Sequence, residues 1–166
     1  SHGGTIGVII GLLLYIRKTK LSFMWVLDCL GIAAPIFAAM VRFGNFMNSE
    51  IIGLPTDAPW GVIFAKTGIT VPCHPAQLYE SMAYLVIFIV IIFLYRKFRN
   101  KVGSGLFSGF TLFTIFTFRF FIEYIKEVQV DFENGMLINM GQILSIPLII
   151  AGGYLIYRSF RWKAVK

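Results

Sequence analysis

The chain has 166 residues, of which 57% are hydrophobic, 16% aromatic and only 14% charged, and its mean hydropathy is +0.77. A soluble domain carries about 25% charged residues and would not absorb 17 phenylalanines in a core of this size, so the composition excludes a soluble globular domain and indicates an integral membrane protein. The formal net charge of +7 is explained by membrane topology and anionic lipid headgroups, and it gives no case for nucleic-acid binding.

Five apolar segments predict the membrane spans, and continuous runs such as YLVIFIVIIFLY lack the alternation of a membrane β-barrel. A spanning helix needs about 20 mostly apolar residues, with about 17 as a working minimum. The first and third segments are shorter, but Tyr15 and Tyr95 flank them as interfacial residues, so both are predicted to span. The sequence therefore predicts an all-α transmembrane bundle of about five helices in one domain, residues 1–166. The segments are residues 3–16, 23–40, 82–95, 105–122 and 137–157.

The basic residues predict the orientation of the bundle. Eleven of the fifteen fall after the first segment, after the third segment or in the C-terminal tail, and the positive-inside rule assigns such regions to the cytoplasm. Seven of the eight acids fall toward the other side. We therefore expect the N-terminus outside, the C-terminus inside, and an extracytoplasmic loop with a short arm at residues 49–80. The eleven residues are Arg17, Lys18, Lys20, Arg96, Lys97, Arg99, Lys101, Arg158, Arg161, Lys163 and Lys166.

The first segment opens with SHGGTIG at the predicted outer face, without an initiator Met, a signal peptide or a basic flank. A helix that enters from this face needs something upstream to orient it, so we expect the chain to be a fragment or to have lost its front end. His2 lies at the mouth of this helix, where it is either an ordinary interface residue or a base.

The second segment ends in an unusually polar stretch, VRFGNFMNSEIIG, at residues 41–53. Arg42 and Asn45 are three residues apart and share a helix face. Glu50 returns to nearly the same side if the helix continues. Asp28, in the predicted cytoplasmic half, is expected to face other helices rather than lipid, although the sequence identifies no partner for it.

The motif HPAQLYE precedes the third segment. Pro75 is predicted as the first helical residue, where its missing N–H costs nothing. Gln77 and Glu80 then share a face of the first turns, and an acid near the positive end of the helix dipole is also ordinary helix-start chemistry. Cys29 and Cys73 fall at different depths without zinc-type spacing, so no metal site is expected.

The fourth segment carries TIFTFRFFIEYIKE, with an arginine in an otherwise apolar helix. A buried arginine costs about 2.5–3.5 kcal/mol on insertion scales, so it normally faces a cavity or a partner. Arg119, Glu123 and Lys126 share one helix face. One interpretation is that Arg119 pairs with Glu123 while Arg42 snorkels to the interface. The other is a shared pocket in which both guanidinium groups hold a phosphate by forked hydrogen bonds, the local phosphate being a phospholipid headgroup.

Taken together, these motifs resemble the prolipoprotein diacylglyceryl transferase family. The resemblance extends from His2 to about Tyr157, and the motifs follow the family's order and approximate spacing. The most specific is RFGNFMNSEIIG, because R-x-x-N-F-x-N-x-E-x-x-G serves as the family signature. The five motifs are SHGGTIG, RFGNFMNSEIIG, HPAQLYE, FRFFIEYIKE and MGQILSIP.

The resemblance implies an enzyme of the bacterial plasma membrane whose active site faces the extracytoplasmic leaflet. It would move the diacylglyceryl group of phosphatidylglycerol onto the lipobox cysteine thiol of a prolipoprotein, the first step of lipoprotein maturation, without a metal or organic cofactor. Arg42 and Arg119 match essential arginines that would hold the headgroup, and His2 is the candidate base. The residues expected to bind substrate or orient the arginines are Asn45, Asn48, Glu50, Gly53, Gln77, Glu80, Glu123 and Lys126.

The chain also departs from the family pattern. Val41 replaces the glycine that usually begins the signature, and Lys126 stands where many relatives carry arginine. The family has about seven membrane helices, and the first two are not in this sequence. An inactive phospholipid-binding remnant of the enzyme is therefore an alternative. A small transporter subunit, with Arg119 and Glu123 lining a polar pathway, is less favoured because the polar residues cluster at the outer leaflet.

Overall fold

The computed structural model describes residues 2–126 and 139–162, without the side chains of His2 and Thr5. Five α-helices overlap the five apolar segments, and β-structure in the described residues is limited to isolated bridges. The predicted all-helical class is therefore confirmed. The helices are α1 (His2–Thr19), α2 (Phe23–Met47), α3 (Ala76–Lys97), α4 (Leu106–Ile122) and α5 (Met140–Arg161).

Four of the described helices are long and apolar enough to cross a membrane: α2, α3, α5, and α4 extended by one short turn to Ile125. These spans support the membrane assignment. α1 is not among them, and most of its described side chains are exposed. The fifth span and the N-outside orientation therefore stay predictions.

Helices α2 to α5 form the packed bundle, and α4 contacts each of the other three. At one end Lys101 Nζ donates to the Ser159 carbonyl, 2.9 Å away, which ties the α3–α4 connection to the end of α5. We call this the basic end, because Arg96, Lys97, Arg99 and Lys101 lie there. We call the opposite end, where α2 ends and α3 begins, the arm end.

Asp28 has the partners that the sequence did not identify. Its carboxylate is buried and accepts hydrogen bonds of 2.8–2.9 Å from the backbone N–H groups of Gly103, Gly105 and Ser108 and from the Ser108 hydroxyl. Gly105 is the N-cap residue of α4 and has no side chain to satisfy the first N–H groups of that helix. An acid on α2 therefore caps α4 across the helix interface, which fixes the relative position of the two helices.

The contact between α4 and α5 depends on two facing glycines. A Cβ atom at Gly152 would lie 2.6 Å from the Phe113 backbone nitrogen, and one at Gly109 would lie 2.9 Å from the Gly152 carbonyl oxygen. Small residues let helix backbones approach closely inside a membrane. This close packing holds α5 against α4, which carries Arg119.

Residues 48–75 form a compact arm rather than an open loop. α2 stops at Met47 because Ser49 and Ile51 take left-handed backbone angles, with φ of 59° and 56°. Isolated bridges join Cys73 to Pro55 and Val62, and Ile52, Phe64 and Cys73 are buried together. The arm ends at Pro75, which is the N-cap residue of α3 rather than the predicted first helical residue. The first turns of α3, Ala76 to Glu80, therefore do not belong to the loop predicted at 49–80.

Candidate functional site

Arg42 on α2 and Arg119 on α4 line one pocket at the arm end of the bundle. Its volume is about 260 Å³, and the third polar group in its wall is Tyr84 on α3. The rest of the wall is apolar, so it offers no further polar partner to the two guanidinium groups. We call this the arginine pocket. Its lining residues are Phe37, Ala38, Val41, Arg42, Tyr84, Ile115, Phe116 and Arg119.

Arg42 is held in place from two sides. Its Nε lies 3.2 Å from Glu80 Oε2 on α3, and the Arg42 side chain is only 15% exposed. In the amide orientation that satisfies both of its groups, Asn45 accepts from Arg42 Nη1 at 3.2 Å and donates to the Val41 carbonyl at 3.1 Å. The predicted shared face of Arg42 and Asn45 is therefore a direct contact that positions the guanidinium.

Glu80 is the centre of the polar network. Its carboxylate is fully buried and lies 3.1 Å from Lys126 Nζ, in addition to its contact with Arg42. The Tyr84 hydroxyl donates to Glu80 Oε1 at 3.2 Å. A buried carboxylate requires this kind of pairing, because an unpaired buried charge is very costly. Glu80 therefore links α2, α3 and the end of α4, and its contacts hold Arg42 and Lys126 in place.

Arg119 is not neutralised in the part of the chain that is described, where no carboxylate oxygen lies within 4.0 Å of it. The proposed pairing with Glu123 is therefore wrong for this structure. The Glu123 backbone N–H still donates to the Arg119 carbonyl at the end of α4, so the two residues keep their helical spacing, but their charged groups do not meet. The chain then continues as a 3₁₀ turn over Glu123–Ile125. Glu123 Oε2 instead lies 3.6 Å from Lys126 Nζ.

The charges of the described residues in this region do not cancel. Glu80 and Glu123 offset Arg42 and Lys126 through the contacts above, so Arg119 contributes one unbalanced positive charge to a wall that is otherwise apolar. A partly buried cation without a carboxylate partner among the described residues favours an anionic ligand, because Coulombic attraction is stronger where fewer water molecules screen the charge. The pocket is therefore suited to a small anion, such as a phosphate group, with an apolar substituent.

Gly53 serves the site through the backbone. Its N–H donates to the His74 carbonyl at 3.0 Å, it forms a bridge with Lys126, and Leu54 N–H donates to the Ile125 carbonyl at 2.9 Å. A Cβ atom at Gly53 would lie 2.6 Å from the His74 oxygen and 2.8 Å from the Ile125 oxygen. Only glycine allows the arm to pass this close, and the close passage fixes Lys126 beside Glu80. Gly53 was predicted to bind substrate or orient the arginines, and its described contacts are backbone contacts that position Lys126.

Three other predicted residues lie outside the pocket wall. Glu50 does not share a face with Arg42, because α2 ends three residues before it, and the residue is exposed. Asn48 is the exposed C-cap residue of α2. Gln77 is buried and donates from Nε2 to the Glu50 carbonyl at 2.6 Å, which anchors the arm to α3. The side chain of His2 lies outside the described residues.

Tyr84 is the site residue that the sequence analysis missed. It is 3% exposed, lines the arginine pocket and contacts Glu80 one helical turn away. The spacing E-x-x-x-Y on one face of α3 was a signal for this pair, but a tyrosine within a long apolar run is also typical of lipid-facing helices. Among the described residues, no group of three or more His, Cys, Asp or Glu is close enough to hold a metal ion.

Comparisons with known proteins agree on one family. The family model described as prolipoprotein diacylglyceryl transferase matches residues 1–158. The phosphatidylglycerol–prolipoprotein diacylglyceryl transferase of Bacteroides fragilis is 52% identical over 166 residues, which is 100% of this chain and 60% of the relative. Enzymes of the same name from Porphyromonas gingivalis and Tolumonas auensis are 45% and 44% identical, and they match 97% and 99% of this chain and 62% and 63% of their own lengths. The chain thus spans about 60% of the length of these curated relatives.

Proposed function

The chain belongs to the prolipoprotein diacylglyceryl transferase family, and we propose that it transfers the diacylglyceryl group of phosphatidylglycerol to the lipobox cysteine of a prolipoprotein. The observation that carries this proposal is the arginine pocket, in which two guanidinium groups from different helices line one apolar-walled cavity. Phosphatidylglycerol combines an anionic phosphodiester with apolar chains, which is the chemistry that this wall would accept.

The proposed reaction is a displacement at carbon. The cysteine thiolate attacks the glycerol carbon that carries the phosphate, a C–S bond forms, and the C–O bond between that carbon and the phosphate breaks. The electron pair of the broken bond leaves on glycerol phosphate, and the thiol proton passes to a base. The products are a thioether-linked diacylglyceryl protein, glycerol phosphate and the protonated base.

In this reaction the two arginines have different tasks. Arg42 is fixed by Glu80 and Asn45, so it offers a preorganised position for the phosphate. Arg119 is uncommitted to any described carboxylate and is available to the charge that develops on the departing phosphate. Donors placed where charge develops supply a large part of many rate enhancements. An unperturbed thiol has a pKa near 8.5, so the nucleophile also needs a base, and His2 is proposed for that role on the family resemblance alone.

We further propose that the arm end faces the extracytoplasmic leaflet of the bacterial plasma membrane. The basic residues at the opposite end support this placement through the positive-inside rule. The arm at residues 48–75 would then lie on the side where a prolipoprotein emerges from the membrane. The proposed partners are phosphatidylglycerol, the lipobox segment and the surrounding bilayer.

The test is a transfer assay with the purified chain in phosphatidylglycerol vesicles, a peptide that contains a lipobox cysteine, and mass spectrometry of the peptide. We expect a diacylglyceryl mass gain that requires the cysteine. Arg119→Ala should lower the rate by about 100-fold or more. Arg119→Lys should lower it by a similar factor, because lysine keeps the positive charge but cannot form the forked pair of hydrogen bonds to a phosphate. Arg158→Ala, an exposed arginine at the basic end, is the matched control and should leave the rate unchanged.

A second arm of the assay uses a chimera that adds the remaining part of the Bacteroides fragilis relative to this chain. Turnover by the chimera alone would mean that residues beyond these 166 complete the site, and its dependence on Arg119 would still support the proposed role. Phosphatidylglycerol binding without turnover in either form would favour the inactive remnant. Turnover that is indifferent to Arg119 would contradict the proposal.

A further inference from the structure

A second cavity opens at the basic end of the bundle, between α2, α3 and the connection that follows α3. Its volume is about 390 Å³, which lies within the range of about 300–1,000 Å³ typical of ligand pockets. We call it the basic-end cavity. Its lining residues are Trp25, Cys29, Ile32, Tyr95, Arg99 and Val102.

One wall of this cavity is a stripe along α2. Trp25, Cys29 and Ile32 are spaced i, i+4 and i+7, so they lie on one helix face and extend for about 10 Å along the axis at 1.5 Å per residue. Trp25 is near the start of the span and Ile32 is further inside it. The stripe therefore leads from the basic end into the apolar depth of the bundle, as an acyl chain does from its headgroup.

Arg99 supplies the charge at the mouth of the cavity. Its Cζ lies 5.9 Å from the centroid of the Tyr95 ring, and that ring is supported edge-to-face by Phe107 at 5.9 Å. Cation–π contact of this kind orients a guanidinium without neutralising it. No carboxylate oxygen of the described residues lies within 4.0 Å of Arg99, so its positive charge is available to a ligand.

The surroundings add to this charge. Three further bases flank Arg99: Arg96 and Lys97 end α3, and Lys101 follows in the connection. The acid nearest along α2 is Asp28, and its two oxygens are already occupied by four hydrogen bonds with the start of α4. Among the described residues the cavity thus joins an apolar stripe to four bases and one acid, so the local charge is net positive. Basic pockets between membrane helices at the cytoplasmic side are suited to anionic lipid headgroups.

This cavity is separate from the arginine pocket. Cys29 and Arg42 are thirteen residues apart on α2, which corresponds to about 20 Å along the helix axis. The two cavities have no lining residue in common. A ligand in one therefore does not occupy the other, and binding at the basic end does not depend on whether the chain transfers lipid.

We propose that the basic-end cavity binds an anionic phospholipid from the leaflet at that end of the bundle. Arg99 holds the phosphate, and the face formed by Trp25, Cys29 and Ile32 holds the glycerol and the first part of an acyl chain. The apolar stripe argues for a lipid over a free phosphate, because a soluble anion would leave that surface without a partner. The bound lipid joins α2 to α3 at the end opposite the reaction site.

Cys29 reports on occupancy, because it is partly exposed and lies in the cavity wall. The purified chain is placed in neutral detergent, titrated with phosphatidylglycerol, and treated with a small maleimide. Mass mapping then reads alkylation at Cys29. Phosphatidylglycerol should slow this alkylation in a saturable way, whereas phosphatidylcholine with the same acyl chains and soluble glycerol phosphate should not.

Two charge variants locate the headgroup. Arg99→Gln should weaken the protection of Cys29 by about fivefold or more, since a basic residue near a lipid surface contributes about 1 kcal/mol. Lys97→Gln removes the same charge from a neighbouring exposed residue that does not line the cavity, and it should change the protection less than twofold. Equal melting temperatures of both variants and the parent chain exclude unfolding as the cause.

Each of the following three outcomes would contradict the proposal. Equal protection by phosphatidylcholine would mean that the cavity is an unspecific lipid contact. Equal protection by glycerol phosphate would make it a site for soluble anions. Equal effects of Arg99→Gln and Lys97→Gln would attribute binding to the general charge of the basic end rather than to this cavity.

Discussion

Glu80 shows how much of the site depends on one buried side chain. It contacts Arg42, Lys126 and Tyr84, and it is fully buried. The pairing of Glu80 with Lys126 links residues 46 positions apart, so local periodicity gave no sign of it. The sequence did predict that Arg42 and Asn45 share a face, because that relationship lies within one helical turn. Glu50 was misplaced because α2 ends at Met47 and the backbone takes a left-handed angle at Ser49, just before it.

At this scale we predict that Glu80→Gln destabilises the protein by about 3 kcal/mol, since removing one partner of a buried ion pair leaves uncompensated charge. Reversible unfolding in mixed micelles measures the change. Tyr84→Phe removes one hydrogen bond to the same carboxylate and should cost only about 1 kcal/mol. If the two variants were equally stable, Glu80 would not be the centre of the network.

The helices themselves were predictable, but their caps and contacts were not. Long apolar runs with interfacial flanks specify α2 to α5 locally, so their existence follows from composition. The partner of Asp28 lies 75 to 80 residues away, and no local pattern indicates that an acid on α2 caps α4.

Removing that cap gives a prediction for the α2–α4 contact. Asp28→Ala leaves three backbone N–H groups without their acceptor and should lower the free energy of unfolding by about 3 kcal/mol. Asp28→Asn keeps one acceptor oxygen, so it should lower the free energy of unfolding by less than Asp28→Ala does. Ser108→Ala, which removes only a hydroxyl donor to the same carboxylate, should cost about 1 kcal/mol. A loss for Asp28→Ala no larger than that for Ser108→Ala would contradict the capping role.

The α4–α5 contact provides a matched pair of neighbouring glycines. A Cβ atom at Gly152 would meet the Phe113 nitrogen at 2.6 Å, whereas one at Gly153 would meet only the Phe113 ring at 3.9 Å. Gly152→Ala should therefore destabilise by about 1–3 kcal/mol through overpacking. Gly153→Ala should be neutral or slightly stabilising, because alanine favours helix more than glycine does. Thermal unfolding in one detergent compares the two, and equal melting temperatures would mean that α4 and α5 do not pack this closely.

At the scale of the whole molecule, the sequence predicted that most basic residues lie on one side of the membrane and most acidic residues on the other. In the fold, the basic connection and the arm lie at opposite ends of the bundle. The basic connection after α3 and the end of α5 meet through Lys101 and Ser159. The arm, Glu80 and both pocket arginines gather at the other end. What the sequence did not predict is that the arm is tied back to the bundle through Gly53, because that depends on backbone contacts between residues that are distant in the chain.

This separation makes the membrane orientation testable with two exposed positions, Asp57 in the arm and Asn100 in the basic connection. Single cysteines are placed there in a Cys29→Ser background, with Cys73 retained because it is buried in the arm. The positive-inside rule predicts that a membrane-impermeant maleimide labels Asp57→Cys in intact spheroplasts, and labels Asn100→Cys only after permeabilisation. The parent chain without either new cysteine gives the background. The reverse pattern would place the arginine pocket on the cytoplasmic side, where an emerging prolipoprotein does not reach it, and it would contradict the proposed function together with the orientation.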